Sequence, residues 1–158
     1  ILFKAPAKAK KGPWQIHLDG NFKVRQLMVE IDMNPSQELV LNYGHIHLKT
    51  GQGDQDTLFL KQKIQQQHDV QMNHLEILSA TIVAKSKKGK GKVQLKVGNT
   101  LSTTHIIDGS PFEFQGNNPM HYHKIKIDNP NSSSDGVWQM KLKGNVKIHK
   151  VVLEVKEK

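Results

Sequence analysis

Gly136 to Val155 reads GVWQMKLKGNVKIHKVVLEV, and Gly12 to Ile31 reads GPWQIHLDGNFKVRQLMVEI. The two stretches align without a gap at an offset of 124 residues. Gly12/Gly136, Trp14/Trp138, Gln15/Gln139, Leu18/Leu142, Gly20/Gly144, Asn21/Asn145, Lys23/Lys147 and Glu30/Glu154 coincide, and the match runs back through Pro6/Pro130 to Ile1/Ile125. Both tryptophans of the chain lie inside it. Self-similarity at a fixed spacing is a signal about the fold as a whole, and the rest of the chain is read outward from it.

Each copy reads as a β-hairpin. Trp14, Ile16 and Leu18 alternate with Gln15, His17 and Asp19, the period of a half-buried strand. Asp19-Gly20-Asn21 is a tight-turn signal, because Gly and Asn accept positive φ. Phe22 and Val24 continue the inward face, but after Arg25-Gln26 the apolar set becomes Leu27, Val29 and Ile31. The second copy shifts in the same place, from Val146 and Ile148 across His149-Lys150 to Val151, Leu153 and Val155. A strand of period two changes parity only by carrying an extra residue, so a β-bulge is expected at Arg25-Gln26 and at His149-Lys150. Ile1 to Phe3 supplies a short strand, and Lys4 to Pro13 a loop that aligns with Asp128 to Val137. The repeated unit, residues 1–31 and 125–155, is therefore strand, loop, hairpin.

Between the copies the chain keeps the same texture. Leu39, Leu41 and Tyr43 alternate, Gly44 interrupts, and Ile46 and Leu48 resume with shifted parity. Thr57 to Ile64 reads as a strand leading into a polar loop, with a helical turn as the alternative. Leu75 and Ile77 give way to Ala80, Ile82 and Ala84, and Val93, Leu95 and Val97 read as the hairpin partner of that strand. Gly98-Asn99 turns the chain; Thr103 to Ile107 and Phe112 to Phe114 are short strand candidates, and Tyr122 to Ile127 is another. Eight to eleven short strands and no long helix point to an antiparallel β-sandwich of jelly-roll type.

The tail carries a resemblance. Tyr122 to Val155, with Asn129-Pro130, Gly136-Val-Trp138, Leu142-Lys-Gly144 and a closing valine-rich strand, resembles the last strands of galactose-binding-like jelly-roll modules. Such modules are common accessory domains of secreted and envelope proteins and often bind glycans. The resemblance implies a jelly-roll form and a glycan ligand. It brings no binding residue with it, because ligands of that family meet variable loops.

Composition bounds the partners. The 158 residues suffice for one domain with a full core. There is no cysteine, hence no disulfide, thiolate metal site or cysteine nucleophile. No apolar run approaches a membrane span. The chain begins at Ile1 rather than Met, as a processed protein or an excised fragment would, and a removed signal peptide would account for it. The formal charge is +9, yet Arg25 is the one arginine among 23 basic residues. Readers of nucleic-acid sequence lean on the arginine fork, so a lysine field favours an anionic polymer held by charge over sequence-specific nucleic acid.

Three sets of residues invite a site. The loop from Lys85 to Lys92 carries Lys85, Lys87, Lys88, Lys90 and Lys92, with Gly89 and Gly91 leaving backbone N–H groups accessible to phosphate or sulfate. The plainer reading is a solvated turn whose charge also protects a sheet edge. The pairs His45/His47 and His121/His123 have the i, i+2 spacing that shares one strand face, and each would chelate a metal only with a third ligand. With Ile46 and Leu48 inward, His45 and His47 face solvent, so surface histidines are the preferred reading and no metal is assigned. Trp14 and Trp138 alternate in register with core positions and are read as core rather than as sugar-stacking platforms. No catalytic motif appears, and Asp19, Asp108 and Glu113 are scattered, so no enzyme activity and no cofactor is expected.

The expected molecule is one sandwich over residues 1–158; the alternative makes 1–31 the end of a preceding repeat and 32–158 one complete repeat. The expected function is a non-catalytic binding module of the bacterial envelope or secreted space, taking an anionic polysaccharide or surface polymer through the lysine hairpin. The alternative is a structural module that links domains or protomers through its repeated β unit, which a stable oligomer lost on deleting residues 1–31 would favour.

Overall fold

A computed structural model of the chain describes residues 16–28, 35–50, 54–87, 89–109 and 114–158. The chain divides into two units, Ile1–Ile31 and Asp32–Lys158. In the second unit the elements run β1 (Gln37–Lys49), β2 (Asp56–Phe59), α1 (Leu60–Gln67), β3 (Leu75–Ser86), β4 (Gly91–Val97), β5 (Thr100–Leu101), β6 (His105–Ile107), β7 (His123–Asp128), β8 (Trp138–Lys143) and β9 (Asn145–Glu157). They form two antiparallel sheets, one in the order β1-β9-β3-β7 and the other in the order β2-β8-β4-β5, with β6 also paired to β4. Leu41, Ile82, Val151 and Leu153 from the first sheet and Val93, Leu95, Met140 and Leu142 from the second share one core. This is the expected all-β sandwich.

The strand connections differ from the expected hairpins. β8 and β9 do not pair with each other: β8 lies between β2 and β4, and β9 between β1 and β3. The chain crosses from one sheet to the other at Gly144, whose φ of 103° a side chain would resist. Likewise β3 and β4 occupy different sheets, so Lys85 to Lys92 spans a second crossing instead of closing a hairpin. Alternation shows that two consecutive strands each have an apolar face. It does not say whether those faces lie side by side in one sheet or opposite each other across the core.

The parity shifts are bulges, as expected. On β3, Val83 faces Lys150 while Ala84 faces Ile148, which leaves His149 as the extra residue. A second shift between Ile77 and Ser79 explains the change of apolar parity in β3. The interruption of β1 falls between Asn42 and Ile46, where Gly44 and His45 have φ of 59° and 63°. Here one detail is corrected: Ile46 is 39% exposed rather than inward. The strand read from Thr57 to Ile64 is β2 followed by α1, because Leu60 and Ile64, four apart, are buried from a helix as readily as from a strand. The end of α1 covers the open edge of β1. The Gln67 side chain accepts from Asn42 N–H (2.8 Å) and donates to Asn42 O (2.9 Å), and His68 Nε2 lies 2.9 Å from Val40 O. Of the Phe112–Phe114 alternation, Phe112 lies outside the described residues and Phe114 sits in a bend.

In the first unit, residues 16–28 contain no strand, only a bend at Gly20-Asn21, and every side chain in them is exposed. The first-copy hairpin and the bulge at Arg25-Gln26 are therefore not found among the described residues. An isolated hairpin has no further strand or layer against which to bury its apolar face. Trp14, Val29, Ile31 and the Ile1 to Phe3 strand lie outside the described residues.

Candidate anion-binding site

The two sheet crossings lie side by side. Lys87 N–H donates to Asn145 O (2.9 Å), and Ser86 Oγ donates to the same carbonyl (3.2 Å). Gly144 N–H donates to Thr50 Oγ1 (2.7 Å), which pins the second crossing to the end of β1. Gly91 and Gly144 face each other so closely that a Cβ on Gly144 would meet Gly91 Cα at 3.4 Å, and a Cβ on Gly91 would meet Val146 Cγ2 at 2.9 Å. Val146 leaves no room for a side chain at Gly91, and Gly144 is needed for its positive φ.

This contact redistributes the expected lysine cluster. Lys87 and Lys90 are exposed on the first crossing, and Lys92 is exposed on β4. Lys88 lies outside the described residues. Lys85 is corrected from a loop residue to a buried one, 1% exposed near the end of β3. Its Nζ donates to Gly116 O (3.3 Å) and sits 4.7 Å from the centre of the Tyr122 ring. In exchange the second crossing contributes Lys143 and Lys147, which the sequence reading did not single out. Lys92 is directly opposite Lys143 across the β4–β8 ladder, and Lys85 directly opposite Lys147 across the β3–β9 ladder. Lys147 Nζ donates to Gly116 O (3.1 Å), so two ammonium groups share one carbonyl oxygen. Of the nearby acids, Asp108 follows β6 where Ile107 pairs with Gly91, and Asp56 pairs with Leu142 beside Lys143.

Like charges directly opposite on a sheet destabilise it, by roughly 0.2–1 kcal/mol each on the scale of cross-strand pairs. The exposed Lys92–Lys143 pair breaks a local rule, and an anion bound there removes the cost. The signal for Lys143 and Lys147 was present in the sequence, since both lie in the repeated stretch. What was lacking was the pairing partner of each strand.

Above the bulges lies a second cluster. His45 Nδ1 is 2.8 Å from Tyr122 Oη, and the His45 and His149 rings stack with centroids 4.5 Å apart. His45 is thus half-buried rather than in solvent. His47, by contrast, is exposed, its Nε2 hydrogen-bonded to Asn145 Oδ1 and its ring edge-on to Phe114 at 5.0 Å. His121 is exposed in the short turn Pro119–His121, and His123 is half-buried at the start of β7. Neither i, i+2 pair acts as a unit, and among the described residues no group of three His, Asp or Glu side chains is placed to hold a metal. His149 is held below its ordinary value of 6.5, first by burial and then by His45 and Lys150.

This depression sets a direction. The folded protein keeps His149 neutral at a pH where the unfolded chain protonates it, so its contribution to stability is present above about pH 6.5 and is lost as pH falls. The groups against it are His45 from β1, Tyr122 and, next to it on its own strand, Lys150. The melting temperature is expected to fall as pH drops below about 6.5, and His149→Gln should make that fall shallower. Parallel pH profiles for parent and variant would show that His149 has no part in it.

No protein family, no curated protein and no solved structure matches the chain significantly. Among the described residues no helix is long and apolar enough to cross a membrane.

Proposed function

We propose that the Asp32–Lys158 unit is a non-catalytic module of the bacterial envelope or secreted space that binds an anionic glycan or surface polymer at its paired sheet crossings. The observation that carries this reading is the opposition of Lys92 to Lys143 across the β4–β8 ladder, next to the crossing that carries the exposed Lys87 and Lys90. Lysine supplies charge without the planar fork of arginine, which suits a polymer recognised by charge density. Successive strands pass between the sheets at β8–β9 and β3–β4, and the two strand orders support the jelly-roll form of the sandwich. Kinship with galactose-binding-like modules rests on the C-terminal residues alone.

Lys87, Lys90, Lys92, Lys143 and Lys147 changed together to glutamine should lose retention on heparin at a lower salt concentration than five Lys→Gln changes at Lys23, Lys63, Lys96, Lys124 and Lys156. The melting temperature should hold or rise, because the removed charges repel one another. Equal loss of retention in both variants would mean a general charge effect and would remove the site.

A further inference from the structure

Residues 16–28 and the buried tail carry related sequences in two environments. Ile16, Leu18, Phe22, Val24 and Leu27 are 50–62% exposed. Their counterparts at the 124-residue offset, Met140, Leu142, Val146, Ile148 and Val151, are 0–1% exposed and lie in the core. The backbone at the junction is nonetheless alike: Gly20 has φ of 105° and Gly144 has φ of 103°. The glycine conformation that turns the tail is in place in residues 16–28 without the strands on either side of it.

The topology says what those neighbours are. Both strands of the tail are central, so each needs a partner on both sides. In β8, Met140 pairs with Leu58 and Leu95; in β9, Ile148 pairs with Ile46 and Ala84, and Val151 with Leu41 and Ile82. All these partners come from β1 to β4, and within Asp32–Lys158 those strands are already paired with β8 and β9. In residues 16–28 the polar positions His17, Asp19, Lys23 and Arg25 still alternate with the apolar ones, the pattern of a sheet with one wet face rather than of a segment lying in lipid. The offset of 124 residues is also close to the length of the Asp32–Lys158 unit.

We propose that residues 16–28 are a docking segment that takes the β8–β9 place in a second sandwich, and that its partner is a second copy of the β1–β6 array, residues 37–107, whose β8–β9 place its own chain does not fill. The segment enters the centre of both sheets of that partner, crosses between them at Gly20, and buries Ile16, Leu18, Phe22, Val24 and Leu27 as the tail buries its counterparts. This interaction joins two sandwiches through main-chain pairing, a mode in which hydrogen bonds hold the strand and alternate side chains choose it. It is independent of the lysine site.

The test is a fusion in which residues 32–124 precede Ile1 of the full chain, so that Lys124 is followed by Ile1 as it is normally followed by Ile125. A comparison fusion carries residues 125–155 in place of 1–31. Amides of residues 16–28 should then exchange with solvent at least about 100-fold more slowly than in the parent chain, approaching those of β8 and β9. Leu18→Asp with Val24→Asp should abolish this slowing in the fusion and leave the melting temperature of the unfused chain unchanged. Protection in the comparison fusion alone would overturn the proposal, because the array would then accept the tail and reject residues 1–31. Protection in neither would overturn it as well, since the array would not be a partner for strands at these positions.

Discussion

Trp138→Ala is expected to cost about 3–5 kcal/mol of folding stability, a large share of the roughly 5–15 kcal/mol that holds a domain together. Trp138 is 2% exposed and is the largest fully buried side chain among the described residues. Its loss opens a cavity between β8 and the elements that cover it. It also carries a polar tie, since Nε1 donates to Ser134 O at 2.7 Å. Ser134 is itself buried at φ of 54°, with Oγ donating to Ile77 O at 3.1 Å, so the indole connects β8 through the loop after β7 to β3. The Lys61 ammonium lies over the ring face, 5.1 Å from its centre. Trp138→Phe keeps much of the volume and loses the hydrogen bond, leaving Ser134 O without that donor; it should cost less, about 1–3 kcal/mol. The measurement is a urea titration of parent and variants followed by circular dichroism, with the emission of a Trp14→Phe protein reporting Trp138 alone. An emission maximum typical of water-exposed indole in the native protein, or a cost below about 1 kcal/mol for the alanine, would contradict the packing.

Deleting His149 is expected to abolish folding. The residue is the extra one in β9, and without it the strand beyond Ile148 turns over. Val151, Leu153 and Val155, all fully buried, would face solvent, while Val152, Glu154 and Lys156 would face the core. Three buried aliphatic side chains at about 1.5–3 kcal/mol each approach the whole stability of a domain, before the burial of two charges is counted. Slippage cannot rescue the strand, because β9 lies between β1 and β3 and both partners carry register shifts opposite the same point. His149→Ala keeps the residue count and should fold, with the altered pH profile described for this position. Thermal unfolding followed by circular dichroism separates the two variants. A deletion variant with a parent-like cooperative transition would show that the parity shift is not what orients the C-terminal half of β9.

Much of this was legible in the residues themselves. Local alternation located the second sheet set of Trp138, Met140 and Leu142, the bulge at His149, the break at Gly44 and the parity change in β3, because each is a property of one strand and its two faces. The special φ at Gly144 was legible for the same reason. Periodicity was weaker where two geometries bury the same positions: Leu60 and Ile64 suit a strand or a helix, and the contact of α1 with the edge of β1 selected the helix. Pairing was not legible at all. Whether β8 and β9 are neighbours or face each other across the core depends on β1 to β4, which arrive from distant parts of the chain. The candidate site inherited that blindness. Five lysines in eight residues were visible as a cluster, but burying Lys85 and bringing Lys143 and Lys147 into line required the ladders β4–β8 and β3–β9 to form. The same reason governs residues 16–28. Their sequence specifies strands with a corner at Gly20, and an isolated copy has no neighbours to supply the hydrogen bonds and apolar cover, so related local patterns yield buried strands in the tail and exposed chain without strands in residues 16–28.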